Sequence, residues 1–223
     1  MMAVDLLLAD NPEHAEEMAA ELCTINTHRQ TEENAIAEQA YAMIDAQLED
    51  AKRNGEAPPS VIVLEDDGWM QGVVGIVASR ITEKYGLPSI LISFDGSVGE
   101  TPLGTDVGKG SGRSIKGFSL MDALSSCGDC LLEYGGHELA AGLSIERSKI
   151  DEFRRRINEY ANPIFGEYEH TSPLEIECEV TFRELSDKAI DEILRLEPFG
   201  LSNPQPVLVI RNVTLNDIVP LSQ

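Results

Sequence analysis

The sequence GKGSGRS at residues 108–114 is the most distinctive stretch of the chain. It has a glycine at every second position, and Lys109, Ser111 and Arg113 lie between the glycines. Glycine allows backbone N–H groups to approach a ligand closely and to form an anion-binding concavity. Lysine, serine and arginine supply hydrogen-bond donors to phosphate oxygens, and a guanidinium can bind phosphate through two parallel hydrogen bonds. The stretch is therefore predicted to bind phosphate; the alternative is a glycine-rich surface turn with solvated charges.

The distribution of charge supports an anionic ligand for this stretch. The chain of 223 residues has a formal net charge of -22, with 39 acidic and 17 basic side chains. Residues 107–121 contain no acidic side chain but include Lys109, Arg113 and Lys116. A basic island in so acidic a chain indicates a focused anion site. The same acidity argues against a protein that covers nucleic acid with a broad basic face.

A second stretch, GGHELAAG at residues 135–142, presents a histidine between small residues. His137 follows Gly135 and Gly136 directly and precedes an Ala-Ala-Gly run. Small residues of this kind allow a ligand or another backbone to pack closely. We interpret His137 as a side chain that contacts the ligand; the alternative is a histidine packed in the core.

Apolar residues at helical spacing predict a long helix near the start of the chain. An Asn-Pro pair, typical of a helix cap and of the first helical position, precedes a helix over residues 12–48. This helix is expected to be continuous or to break near residues 26–31, where Arg29 is located. Residues 54–59, which include one glycine and two prolines, have the composition of a linker.

After this linker the chain alternates between strand and helix patterns, which predicts an α/β fold. Two apolar runs flank an amphipathic helix, an order typical of a parallel β-α-β unit. The predicted strands are residues 60–64, 89–94, 108–114 and 139–146. The predicted helices are residues 73–85, a short helix from Ser119 to near Cys127, and residues 148–160, ended by Asn162-Pro163. Residues 95–107 are predicted to be a mobile loop.

A separate region is predicted after a link at residues 166–173. Residues 174–180 alternate between apolar and polar types, as in a half-buried strand. A helix is predicted over residues 186–196, and residues 206–220 return to strand composition.

Composition excludes several classes of protein. No run of about 18 apolar residues occurs, so no transmembrane helix is expected. No basic segment precedes an apolar one at the N-terminus, so no secretory signal is expected. The four cysteines are too few and too scattered for a disulfide scaffold, and a reducing, cytoplasmic compartment is expected. The Cys127-x-x-Cys130 pair is interpreted as structural, because a zinc site would need a second ligand pair.

The two stretches together resemble the DHH-associated domain of the DHH phosphoesterase superfamily, and most closely that of its bacterial single-strand-specific DNA exonucleases. Further matching segments are NTHRQ at residues 26–30, GWMQGVVGIVASR at 68–80, GFSL at 117–120 and LEPFGLSNP at 196–204. One departure is Met70, where the family commonly has a histidine; any ligand contact that the histidine makes is not expected here.

The resemblance implies a mixed α/β sheet with helices on its faces. A helical connector at residues 1–57 would precede this substrate-binding domain at residues 58–166, and the start of an oligonucleotide-binding β-barrel would follow at residues 167–223. The resemblance assigns His137 a catalytic role beside the scissile bond. It implies a phosphate-binding set made of Arg113, Ser111, Gly112, Arg29, Lys109, Gly135 and Gly136. For Arg29, the alternative is an ordinary surface arginine.

The implied function is substrate binding in an exonuclease that cleaves phosphodiester bonds of single-stranded DNA during repair and recombination. Such hydrolysis needs clustered carboxylates and histidines that hold Mg²⁺ or Mn²⁺. The four histidines are scattered and no Asp-His-His triplet occurs. The resemblance implies that a preceding domain with such a triplet holds the metals, so the chain alone is expected to hold no metal and to be inactive. The expected partner is single-stranded nucleic acid, with DNA implied by the resemblance while the sequence leaves the preference between DNA and RNA open, and no membrane is expected.

Two alternatives remain at this stage. One is a different phosphoesterase of the superfamily that acts on short oligonucleotides or cyclic dinucleotides, although the match after residue 166 argues against it. The other is a non-catalytic binding or scaffolding relative without the metal domain.

Overall fold

The computed structural model describes residues 2–94, 106–165, 174–200 and 202–214. The chain forms two compact units, Met1–Thr171 and Ser172–Gln223. Most of the loop predicted at residues 95–107 lies outside the described residues. Within the described ranges, no helix is both long and apolar enough to cross a membrane.

A short helix, α1 (Met2–Leu7), precedes one uninterrupted helix, α2 (Pro12–Asn54). The Asn11 side chain accepts a hydrogen bond from the Glu13 N–H at its start, and Gly55 ends it in the left-handed conformation with φ 71°. The prediction of a long helix is confirmed, and no break occurs near residues 26–31. The polar residues there are accommodated within the helix, where the hydroxyls of Thr27 and Thr31 donate to carbonyls one turn earlier.

The predicted parallel β-α-β unit is confirmed. It consists of β1 (Ile62–Asp66), α3 (Gln71–Tyr85) and β2 (Ser89–Ser93), and the two strands pair in parallel. Strand β1 begins two residues later than predicted, because the N–H groups of Ser60 and Val61 both donate to the Asn158 side chain and not to a neighbouring strand.

Three further strands complete a mixed sheet. They are β3 (Val107–Arg113), β4 (Leu131–His137) and β5 (Ala140–Glu146). The strand order is β1-β2-β3-β5-β4, and every pair except β1–β2 is antiparallel. Sequence patterns did not predict β4, the edge strand that carries Gly135, Gly136 and His137.

Each face of the sheet carries its own apolar core. Helices α2 and α3 cover one face, where Trp69, Val77 and Leu91 are buried. Helices α4 (Leu120–Ser126) and α5 (Ile150–Phe165) cover the other. Cys127 and Cys130 are both buried in this second core, in agreement with a structural role.

The predicted end of α5 at Asn162-Pro163 is wrong. The helix continues to Phe165 with Pro163 inside it. A proline so close to a helix C-terminus removes only one backbone hydrogen bond. The Phe165 ring packs 5.1 Å from the Phe118 ring, which holds the last turn against the core.

Shortening a side chain in this core is expected to destabilise the protein. Val63 of β1 is 1% exposed within the α4–α5 core, so Val63→Ala should lower the free energy of unfolding by about 1–3 kcal/mol. Val4→Ala is the control, since Val4 is 55% exposed. Urea denaturation measures both variants, and equal losses would contradict the assignment of Val63 to the core.

The second unit contains α6 (Asp187–Leu194), with Ser186 as its N-cap, and a small parallel pair of strands. These strands, β6 (Cys178–Glu179) and β7 (Leu208–Val209), are shorter than predicted. The alternation at residues 174–180 does not reflect burial in the described structure, where six of these seven residues are exposed. The predicted strand at residues 206–220 lies outside the described residues from 215 onward.

Candidate functional site

Strand β3 divides the GKGSGRS stretch between two faces of the sheet. Side chains alternate along a strand, so the glycines face one layer and Lys109, Ser111 and Arg113 face the other. The glycines lie against core side chains. A Cβ built on Gly108 would lie 2.6 Å from a Phe94 side-chain atom, one on Gly110 would lie 2.8 Å from Leu143, and one on Gly112 would lie 2.7 Å from Leu120. The glycines are thus required by close packing in the core.

The predicted backbone concavity is therefore wrong, and so is the alternative of a surface turn. Strand β3 lies between β2 and β5, and Gly112 pairs with Ile90 on one side and with Ala141 on the other. The backbone N–H groups of such a strand are used in the sheet. The donors that β3 can offer to a ligand are its side chains on the opposite face.

Strand register places the two predicted stretches side by side. Arg113 is opposite Ala140 on β5, and Ala140 is opposite His137 on β4, so both functional side chains share one face and one row. With adjacent strands about 4.8 Å apart, their backbones are about 10 Å apart. The next row is Ser111, Gly142 and Gly135, and the row beyond it is Lys109, Ser144 and Glu133.

The second and third of these rows form the floor of a groove of about 840 Å³ between α3 and the β4 edge. Small residues in the centre of the sheet, above all Gly142, leave the floor open. The lining comprises Gln71, Val74, Lys109, Gly110, Ser111, Gly128, residues 131–135, Gly142, Leu143 and Ser144. The row of Arg113 and His137 lies directly beyond this lining, at one end of the groove.

Arg113 has no carboxylate partner among the described residues. Its Nη1 donates to Ser111 Oγ at 3.1 Å and to the Gly112 carbonyl at 2.8 Å, both neutral acceptors. Other arginines of the same unit form ion pairs with carboxylates: Arg147, Arg154 and Arg156. Lys109 likewise has no ion pair or hydrogen bond to a described side chain. The face therefore carries two basic side chains, Arg113 and Lys109, without a described ion pair, and the acidic side chain in the lining is Glu133.

His137 is exposed at the tight turn between β4 and β5. Its Nδ1 accepts a hydrogen bond from the Leu139 N–H at 3.3 Å, which leaves the proton of the neutral ring on Nε2. Residues outside the hairpin hold this turn in place. The Ser114 N–H donates to the Leu139 carbonyl and the Leu120 N–H to the Glu138 carbonyl, each at 2.9 Å. Nε2 is thus held at the sheet edge as a hydrogen-bond donor.

The other predicted site residues do not all share this face. Gly135 lines the groove, whereas Gly112 and Gly136 point to the opposite side of the sheet. Arg29 lies on α2, where its guanidinium pairs with Glu33 at 2.7 Å and contacts Asn26. The structure gives Arg29 no described contact with the groove.

Sequence reasoning missed the contribution of α3 to the groove. Gln71 and Val74 line it, and no chemical signal in the sequence distinguishes them from ordinary helix residues. Ser144 was also missed, because its place opposite Lys109 depends on strand register. Met70 caps α3 without a side-chain hydrogen bond and is 46% exposed.

One cluster of acidic and thiol side chains has the spacing of a metal site. In the described parts of the chain, Asp129, Cys130 and Glu152 are the group whose potential ligand atoms lie within 4.8 Å of one another. Hydrogen bonds from Arg156 to Asp129 and from Lys149 to Glu152 lower the pKa of both carboxyl groups. Both carboxylates are already paired with cations, and Mg²⁺ and Mn²⁺ prefer oxygen ligands to a thiol. The cluster does not fit either ion.

Two domain families match the chain. The DHHA1 domain matches residues 59–162, and the RecJ OB domain matches residues 176–223. Among curated proteins, the single-stranded-DNA-specific exonuclease RecJ of Bacillus subtilis is 33% identical over 216 residues, 97% of this chain and 26% of that protein. RecJ of Escherichia coli is also 33% identical, over 92% of this chain and 34% of its own length.

Solved structures agree with these matches. RecJ from Thermus thermophilus in complex with Mn²⁺ superposes with a TM-score of 0.75 at 30% identity, over 94% of this chain and 28% of that one. The same protein with Mg²⁺ gives a TM-score of 0.70 at 32% identity, over 92% and 29% of the two chains. The chain spans about a quarter to a third of these relatives. The fold and the order of the two matched domains thus identify the chain as a homologue of the C-terminal region of RecJ, with a DHHA1 domain followed by RecJ OB sequence.

Proposed function

We propose that the groove binds the sugar–phosphate backbone of single-stranded DNA, with a terminal phosphate on Arg113. The observation that carries the proposal is the row of Arg113, Ala140 and His137. In this row Arg113, which has no described carboxylate partner, lies on one side of the small residue Ala140, and the hydrogen-bond donor His137 lies on the other. A backbone lying over Ala140 and Gly142 would meet hydrogen-bond donors on both sides.

Each side chain has a distinct part in this proposal. Nε and Nη2 of Arg113 have no described hydrogen-bond partner, so they are available to form a fork with two phosphate oxygens. Ser111 and Lys109 on the same strand would contact the next phosphates along the groove. His137 would donate from Nε2 to the phosphate or sugar beside the scissile bond and help to orient it.

In the full-length protein we propose an exonuclease that hydrolyses phosphodiester bonds of single-stranded DNA in repair and recombination. The names of the relatives and the RecJ OB match support this proposal over a phosphoesterase for cyclic dinucleotides. Two solved relatives contain Mg²⁺ or Mn²⁺. Because the described residues of this chain offer no suitable ligand set, we propose that another domain holds the ions. The purified chain should then not degrade single-stranded DNA in Mn²⁺, and degradation absent from a mock purification would contradict this part of the proposal.

Removing the Arg113 guanidinium is expected to weaken DNA binding about tenfold or more. Hydrogen bonds to a charged group contribute about 1.5–3 kcal/mol each, and a terminal phosphate presents more oxygens and charge than an internal one. Arg113→Ala should also abolish a preference for a phosphorylated end. Fluorescence anisotropy with 5′-phosphorylated, 3′-phosphorylated and unmodified oligonucleotides measures both effects. If two to four phosphates are neutralised, the slope of log K against log salt should be about -1.5 to -3.

The control is Arg155→Ala, which removes the same charge from α5, where Arg155 pairs with Glu159. Both variants should unfold within about 0.5 kcal/mol of the unmodified protein, since neither arginine is buried. Equal affinity for all three oligonucleotides, unaltered in Arg113→Ala, would contradict the proposed phosphate site. An equal loss of DNA affinity in Arg155→Ala would mean that the effect comes from net charge and not from a phosphate contact of Arg113.

A further inference from the structure

Gly75 occupies a position where helix stability alone would favour alanine. It is the fifth residue of α3, inside a helix of 15 residues. A glycine in a helix interior is about 0.8–1 kcal/mol less favourable than alanine. Its φ is not in the positive range that would require glycine. The reason for glycine must therefore be found in what the helix packs against.

The neighbours of Gly75 are the side chains of the proposed phosphate site. A Cβ at this position would lie 2.9 Å from Ser111 Oγ and 3.0 Å from Arg113 Nη2. The contact with Ser111 Oγ is closer than real Cβ contacts essentially ever are, and the contact with Arg113 Nη2 is unusually tight, so a methyl group here would displace Ser111 Oγ and press on the guanidinium that it binds. Because Gly75 has no side chain, the Arg113 guanidinium can lie directly against this part of α3.

We propose that Gly75 is a positioning residue for Arg113. The inference rests on the proposed function of Arg113 as a phosphate ligand. Nη1 holds the guanidinium against Ser111 Oγ and the Gly112 carbonyl. The gap at Gly75 leaves room for Nη2, which has no described partner, so the guanidinium keeps an orientation in which Nη2 can meet a phosphate oxygen. A methyl group at residue 75 would rotate the guanidinium or block that approach.

The same contacts predict that Gly75→Ala leaves the fold intact. The two atoms that would be crowded are the ends of flexible side chains, which can move without shifting the backbone. The helix meanwhile gains the better propensity of alanine. Stability and DNA binding should therefore change in opposite directions, which a purely structural role of Gly75 would not produce.

Gly72 provides a matched control in the same helix. Apart from its two chain neighbours and the nearby backbone of α3, no atom lies within 4 Å of a Cβ built on Gly72. Gly72→Ala therefore changes the helix without contacting Arg113. The experiment compares Gly75→Ala, Gly72→Ala, Arg113→Ala and the Gly75→Ala/Arg113→Ala double variant. It measures the thermal unfolding midpoint and the Kd for a 5′-phosphorylated single-stranded oligonucleotide by fluorescence anisotropy.

Gly75→Ala is expected to bind about 3- to 10-fold more weakly with an equal or higher unfolding midpoint, and Gly72→Ala to bind normally. In the double variant the fold-loss should be smaller than the product of the two single fold-losses, since Gly75 acts mainly through Arg113. Normal binding by Gly75→Ala, a lowered unfolding midpoint, or single losses that multiply fully in the double variant would each overturn the inference. Normal binding by Arg113→Ala would instead overturn the proposed phosphate site, and the inference with it.

Discussion

Replacing Gly136 with alanine is expected to lower the free energy of unfolding by about 2–6 kcal/mol. Gly136 has φ 149°, a conformation that residues with a side chain rarely adopt. A Cβ there would lie 2.4 Å from the Ala140 carbonyl oxygen and 2.6 Å from Ala141 Cα. Both are backbone atoms of the paired strand, so the clash can be relieved only by opening the hairpin between β4 and β5. Backbone strain and overpacking each contribute about 1–3 kcal/mol.

Gly135→Ala is the control for this effect. The two glycines are adjacent in the same strand, but no atom lies within 4 Å of a Cβ at Gly135 and its φ is not in the positive range. Urea denaturation of the two variants should therefore show a large loss for Gly136→Ala and little change for Gly135→Ala. Similar stabilities for both would mean that the close approach at Gly136 is not a constraint on the fold. The variant at Gly136 should also displace the neighbouring His137.

The parts of the fold that could be predicted from sequence are those with local causes. The Asn-Pro start of α2, the left-handed glycines after α2 and α3, and the two apolar strands of the β-α-β unit all depend on residues close together in the chain. Strand β4 escaped prediction for the opposite reason. Its side chains are exposed beyond Leu131 and it contains two adjacent glycines, so neither alternation nor β-propensity marks it.

The role of the β3 glycines could not be predicted from the motif alone. Their spacing suggested a backbone site for phosphate, whereas they face core side chains that come from distant parts of the chain, such as Leu120 and Leu143. The spacing nevertheless separates the two faces correctly, because it leaves Lys109, Ser111 and Arg113 together on the other side. That Arg113 and His137 share one row follows from their common pairing with Ala140, which the sequence does not reveal.

Filling the floor of the groove is expected to remove most of the DNA binding. Gly142 lies between Ser111 and Gly135 in the central row of the floor. Apart from its chain neighbours, the nearest atom to a Cβ built there is the Gly110 carbonyl oxygen at 3.8 Å, an ordinary contact, so the Cβ of Gly142→Val fits and its methyl groups are expected to enter the groove. Valine is also more favourable than glycine in a strand. The variant should therefore be at least as stable as the unmodified protein.

The affinity of Gly142→Val for a 5′-phosphorylated single-stranded oligonucleotide shows whether single-stranded DNA binds in the groove. It keeps every charge and every proposed donor, and it changes only the space in which the DNA backbone would lie. Overpacking costs about 1–3 kcal/mol, so fluorescence anisotropy should give a Kd about tenfold or more weaker, with an unchanged or higher thermal unfolding midpoint. An unchanged Kd in a folded variant would show that single-stranded DNA does not bind in the groove.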